Sequence, residues 1–176
     1  MGDDREPYLV VTERLELRGV GAQDLDALYT LNADPEVWHH LPEGRHSRPG
    51  ITQAWIDRCT RHWELGGVSY WMARDRETGE LIGVGGAQRH APGFWNLYYR
   101  LVRAHWGSGY ATELSRAAMR VAGEHDPEIP VVAWIHAHNA GSRAVAERLG
   151  LHDYGLRTKP SDDEPMHAYA DRELPF

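Results

Sequence analysis

Two stretches of the 176-residue chain carry residue types whose spacing suits chemistry. The first, RAHWGSGYATEL from Arg103 to Leu114, sets Gly107 and Gly109 one residue apart between a strand-like run and a helix-like run. Bare backbone there lets N–H groups at a helix start approach an anion, and the helix dipole adds partial positive charge. An ordinary strand-to-helix turn uses glycines in the same way. The second stretch, NAGSRAVAERLG, places Asn139 at an N-cap position, Ser142 in the first turn and Gly150 as a closing C′ glycine. Capping alone accounts for that pair without a ligand.

Other readings of these glycines fail on their residues. A P-loop needs Gly-Lys-Ser/Thr, whereas Gly109 is followed by Tyr110 and Ala111. A dinucleotide fingerprint needs a third glycine where Thr112 stands, and it opens a βαβ unit, whereas this loop follows a run of consecutive strands. The glycines of IGVGGA, Gly83 to Gly86, lie inside a strand-like run, where close backbone approach or a bulge explains them. Among eleven histidines, His136 and His138 share one strand face, but no third ligand stands at a telling spacing, so no metal is expected. Cys59 lies mid-helix with no histidine partner in view, which argues against a thiol nucleophile.

Composition narrows the setting. A hydrophobic content of 41%, seven tryptophans and charges of mixed sign fit one folded domain spanning residues 1–176. A net charge of -7 speaks against nucleic acid, which needs a basic face, and suits a cationic partner. One cysteine fits a reducing compartment. The MGDDREP start lacks the basic flank and apolar core of a signal peptide, and no run of about 18 apolar residues occurs. The expectation is a soluble cytoplasmic protein with no membrane partner.

The elements that must position the two stretches are legible by period. YLVVTERLELRGV alternates around Leu15 and Leu17 as one strand ending near Arg18; AQDLDALYTLN is a helix closed by Asp34-Pro35, and GITQAWIDRCTRHWEL is a second helix. VSYWMARD, ELIGVGGAQRH and FWNLYYRLVR read as an antiparallel meander with turns at RETGE and APG. A helix from about Ser108 to Gly123, a strand VVAWIHA, the Asn139 helix and strands HDYGLR and MHAYAD complete the chain. This order excludes a regular doubly wound fold.

TERLELR, DPEVWHHLP, WGSGYATEL and NAGSRAVAERLG, in that order, resemble the GCN5-related N-acetyltransferase (GNAT) superfamily, and within it the branch that acetylates ribosomal proteins and other protein N-termini. The resemblance covers nearly the whole chain. It implies the acyl-CoA N-acyltransferase fold: an α+β domain with a mixed, mostly antiparallel sheet of about six to seven strands flanked by about four helices. It implies acetyl-CoA as donor and a primary amine as acceptor, whether a protein N-terminus, an amino acid, a polyamine or an aminoglycoside. The backbone from Gly107 through Ser108, Gly109, Tyr110 and Ala111 to Thr112 would bind pyrophosphate. Tyr99, Arg100 and Leu101 would pair with pantetheine through their main chain, and Asn139 would hold it by its amide. A strand N–H near Leu101 would receive the oxyanion, and Val131 to Ala137 would splay away to open the cleft. The loop from Asp34 to Ile51 and the tail after Lys159 would shape the acceptor pocket, and a homodimer through the C-terminal strands is in keeping with the family.

Three positions depart from the family pattern. Ala104 stands where the loop often begins with Gln or Arg. Ala146 stands where many members carry the tyrosine that protonates the departing thiolate; the resemblance to the N-terminal branch implies Ser142 as the acid in its place. Asn96 stands where the branch often has a glutamate base, leaving His90, His136, His138 or a water relay. The last two departures together keep a non-catalytic acyl-CoA-binding module open as the alternative.

Overall fold

A computed structural model describes residues 8–160 and 163–176. The acidic start through Pro7, and Ser161 and Asp162 in the tail after Lys159, lie outside the described residues. In chain order the elements are β1 (Val10–Val11), β2 (Leu15–Gly19), α1 (Leu25–Ala33), α2 (Pro49–Gly66), β3 (Tyr70–Asp75), β4 (Leu81–His90), β5 (Phe94–Leu101), α3 (Tyr110–His125), β6 (Val131–Ile135), α4 (Ala140–Arg148), β7 (His152–Thr158) and β8 (Pro165–Ala170). They form an α+β fold around one sheet of order β1-β2-β3-β4-β5-β6-β8-β7.

The sheet has eight strands, one more than the upper expectation, because the opening run is not continuous. Leu15 and Leu17 do alternate into the core, both fully buried. Before them, the Thr12 N–H donates to the Leu15 carbonyl at 2.9 Å, and the chain reverses so that β1 pairs antiparallel with β2. Helix α3 begins at Tyr110, not Ser108, since Gly109 sits at φ 83, outside the helical region. Strand β5 stops at Leu101, short of Arg103, where a tight turn over Arg103–His105 follows. Strand β6 stops at Ile135, short of Ala137.

All neighbouring pairs are antiparallel except β5 with β6. That parallel ladder holds only Trp95 against Val131 and Asn96 against Val132. Beyond it the strands part, which leaves the far end of β5 with an unpaired edge.

Two cores hold β5 in place. Trp95, Leu97 and Leu101 pack with Leu114, Ala117, Ala118 and Ala122 of α3, and the alanines let that helix lie close to the sheet. Burying Leu114 alone contributes roughly 1.5–3 kcal/mol. On the other face Tyr98 joins Val84, Met72, Tyr70, Ile56 and Leu28. The glycines of β4 serve this packing, because a Cβ on Gly85 would stand 2.6 Å from the Tyr98 carbonyl oxygen, and one on Gly83 would collide with that of Arg100. Close backbone approach is therefore their role.

Candidate active site

The unpaired edge of β5 has a direction. The Val102 N–H donates to the Ile82 carbonyl on β4 at 2.9 Å. Backbone groups alternate along a strand, so the Leu101 N–H points the other way, into the gap left by β6. The Trp95 N–H donates to the Pro130 carbonyl on that same side, which fixes the parity for Leu97, Tyr99 and Leu101 as well. One acceptor on this edge is already used, since the Trp106 indole N–H donates to the Leu101 carbonyl at 3.1 Å.

The glycine loop faces the same gap. Gly107 and Gly109 have φ of 76 and 83, a region that costs any other residue energy. The first helical bond of α3 runs from the Glu113 N–H to the Gly109 carbonyl, so the N–H groups of Tyr110, Ala111 and Thr112 have no acceptor within the helix. Thr112 Oγ1 is also buried there without a partner among the described residues. These free donors fit a pyrophosphate. Ser108 is turned differently: it does not line the groove, and its carbonyl accepts from Arg14 Nη1 at 2.8 Å.

A clamp invisible to motif reading holds this loop. Glu113 accepts from Thr12 Oγ1 at 2.6 Å, from the Arg14 N–H at 2.8 Å and from Arg14 Nε at 2.7 Å. The Arg14 guanidinium also lies over the Tyr110 ring, 4.2 Å from its centroid. The β1–β2 turn is thereby tied to the start of α3.

Across the gap, Asn139 Oδ1 accepts from the Ser142 N–H at 3.1 Å, the expected cap of α4. Ser142 Oγ in turn accepts from the Tyr99 hydroxyl at 3.1 Å. Tyr99 entered the sequence reading only through its main chain; its side chain joins strand and helix 43 positions apart. Burial, offset in part by the Ser142 bond, raises the Tyr99 phenol above its ordinary range. A groove of about 580 Å³ runs past Gly107, Gly109, Thr112, Asn139 and Ser142, and a hollow of about 220 Å³ opens between the diverging strands. Tyr99, Arg100, Asn139 and Ser142 line both, so the two meet there.

A family model described as the acetyltransferase (GNAT) domain matches residues 14–152. The chain belongs to the GNAT acetyltransferase family. This acetyltransferase is 32% identical over 147 residues to the uncharacterized protein YkkB of Bacillus subtilis, covering 81% of the chain and 84% of that relative. An acetyltransferase structure from Agrobacterium tumefaciens superposes with a TM-score of 0.76 at 29% identity, covering 94% of both chains. The ribosomal L7/L12 alpha-N-protein acetyltransferase RimL, solved with coenzyme A, shares the fold at a TM-score of 0.72 and 20% identity, covering 92% of this chain and 95% of its own. The acetyl donor is acetyl-CoA, in keeping with the family and with the free donors of the loop.

The proposed bases of this GNAT protein separate. His90 ends β4 beside His62 and Phe94 and lines neither the groove nor the hollow. It pairs in register with Phe94, the opposite end of β5 from Leu101, roughly 20 Å along the strand. The sequence could not exclude it, because position along a strand depends on register. His136 lines the hollow and His138 the groove, with rings 5.5 Å apart. The His138 Nε2 lies 2.7 Å from the His40 carbonyl oxygen. A carbonyl only accepts, so Nε2 is the donor here, and in the neutral ring Nδ1 is the nitrogen with the lone pair. His40, first seen only as part of a substrate-side loop, lines both spaces, and burial with Arg100 beside it lowers its pKa to about 4. Among the described residues no group of three His, Cys, Asp or Glu is placed to hold a metal.

Ala146 is buried at the edge of the hollow, and Asn96 donates to the Tyr70 hydroxyl at 2.9 Å instead of facing solvent. Neither position supplies an acid or a base. Cys59 is buried, and burial raises its thiol to about 12 despite bonds from Gln88 and Ser69, which leaves it unreactive.

Proposed function

We propose that the enzyme transfers the acetyl group of acetyl-CoA directly to a primary amine on a protein N-terminus or a small molecule, with no acyl-enzyme. The observation that carries this is the meeting of groove and hollow at Tyr99, Asn139 and Ser142, beside the free Leu101 N–H. Gly107 and Gly109 through Thr112 bind the pyrophosphate, with the Ser108 N–H in the same loop. The main chain of Tyr99, Arg100 and Leu101 and the amide of Asn139 hold the pantetheine arm.

The amine lone pair forms a bond to the thioester carbon while the Leu101 N–H stabilises charge on the carbonyl oxygen. As the C–S bond breaks, the Ser142 hydroxyl gives its proton to the sulfur. The Tyr99 hydroxyl, donating to the same Oγ, meets the charge left behind. His138 Nδ1 takes the proton that the amine loses, through water. Among the described residues the lining of groove and hollow contains no Asp or Glu, which does not favour the polycationic acceptors suggested by the overall charge.

The test measures free thiol released from acetyl-CoA with a panel of amines. Turnover with at least one amine, slowed in Ser142→Ala at unchanged acetyl-CoA affinity, is the expected result. CoA binding with no turnover on any amine would sink the reading in favour of a binding module.

A further inference from the structure

We propose that Arg100 anchors a carboxylate subsite and that the acceptor is a free amino acid, acetylated on the amine beside that carboxylate. The inference rests on the acetyl-transfer reading above. Arg100 stands at the end of β5 between Tyr99 and Leu101, and only 9% of its surface is exposed. Its guanidinium is stacked 3.4 Å from the centroid of the Trp38 ring, its Nε donates to the Tyr98 hydroxyl at 3.1 Å, and its Nη1 donates to the Val37 carbonyl at 3.4 Å. All these partners are neutral. Among the described residues no carboxylate forms an ion pair with it.

A guanidinium presents five N–H donors, and the bonds above use two. A buried permanent cation with no counter-anion is strongly unfavourable unless an anion completes it. Among the described residues neither the groove nor the hollow is lined by an Asp or Glu, while His40, His136 and Lys159 line the hollow together with Arg100. Glu164 sits 3.6 Å from His136 Nδ1 and is largely exposed.

Arg100 lines both the groove and the hollow, but its side chain leaves β5 on the face opposite to that of Tyr99. Side chains alternate along β5, so Arg100 projects to the face of Tyr98 and Trp38, whereas Tyr99 reaches Ser142 from the opposite face. Trp38 and Val37 belong to the α1–α2 loop, the segment expected to shape the acceptor side. A carboxylate bound bidentately to the open edge of Arg100 would place the amine on the neighbouring carbon near the Leu101 edge. The hollow, of about 220 Å³, has room for one amino acid. Arg100 takes no part in the bond changes; it positions the acceptor.

The experiment follows thiol release by the full-length enzyme with the twenty amino acids, their carboxamides, a tripeptide, spermidine and kanamycin. The expected result is a free amino acid as best acceptor, with kcat/KM about 100-fold above its carboxamide. Arg100→Gln should raise KM for that amino acid about 100-fold, far more than it changes KM for the carboxamide. The acid-to-amide comparison on the unaltered enzyme needs no variant, so it stands even if Arg100→Gln folds poorly. Equal rates on acid and amide, preference for the tripeptide, spermidine or kanamycin, or no turnover of any carboxylate-bearing amine would each overturn the subsite. No thiol release with any amine, whether or not CoA protects against heating, would instead defeat the acetyl-transfer reading itself.

Discussion

Ser142 was within reach of sequence reasoning because it sits at fixed spacing from the Asn139 cap, and local spacing survives folding. Tyr99 was not, because the strand and helix that carry the pair meet only through the divergence of β5 and β6. That bond is what the proposed catalytic role adds to a first-turn serine. Removing the acid in Ser142→Ala should lower kcat about 100-fold, the low end for a positioned proton donor. Tyr99→Phe removes one hydrogen bond worth about 1 kcal/mol, so kcat should fall roughly fivefold. The two losses should be less than additive, since both act on one oxygen. Steady-state kinetics check this, with calorimetric CoA affinity as control. If either change weakened CoA binding while sparing kcat, the pair would be a structural contact.

The periods that revealed α1 to α4 and the meander reflect burial, and burial is what these elements share with any sequence of their pattern. The Thr12 reversal carries no periodic signal, since Val10 and Val11 read as part of the same apolar strand as Leu15 and Leu17, and the turn is fixed by Thr12 bonding Leu15, by Arg76 bonding the Thr12 and Glu13 carbonyls, and by Glu113 of α3 holding Thr12 and Arg14. The clamp matters because the glycine loop does little by side chain. Its donors point together only while Gly109 stays at φ 83, with Arg14 Nη2 standing 3.4 Å from where a Cβ would be. Gly109→Ala would strain that conformation by about 1–2 kcal/mol. The loop can relieve the strain by rotating its N–H groups away, and CoA must then restore them. CoA affinity should drop about tenfold with little change in melting temperature, as titration calorimetry and thermal unfolding would show; unchanged affinity would remove the loop from the binding site.

Charge at the scale of the molecule is segregated: in a chain of net -7 no described Asp or Glu lines either space. Histidines instead enter partly or fully buried positions, and four of them are held below their ordinary value of 6.5. Burial is the leading cause at His40, His46, His62 and His90, with Arg100 adding at the first two and Lys159 at the last. His40 and His90 fall to about 4. An unfolded chain would bind protons at these sites below pH 6.5 while the folded one would not, so stability rises with pH across that window. It should be complete above pH 6.5 and decline from there towards about pH 4. Glu113 acts later. Burial raises it, but bonds from Thr12 and Arg14 leave it lower overall than its ordinary 4.5, so its contribution is present above that value and lost only as pH falls further. The urea midpoint should therefore already be lower at about pH 5 than at about pH 7.5, before most carboxylates titrate. His90→Gln, remote from the groove, should shrink that difference whatever it does to absolute stability. A midpoint flat from about pH 7.5 to about pH 5 would mean that these imidazoles meet water as freely in the folded protein as in the unfolded chain.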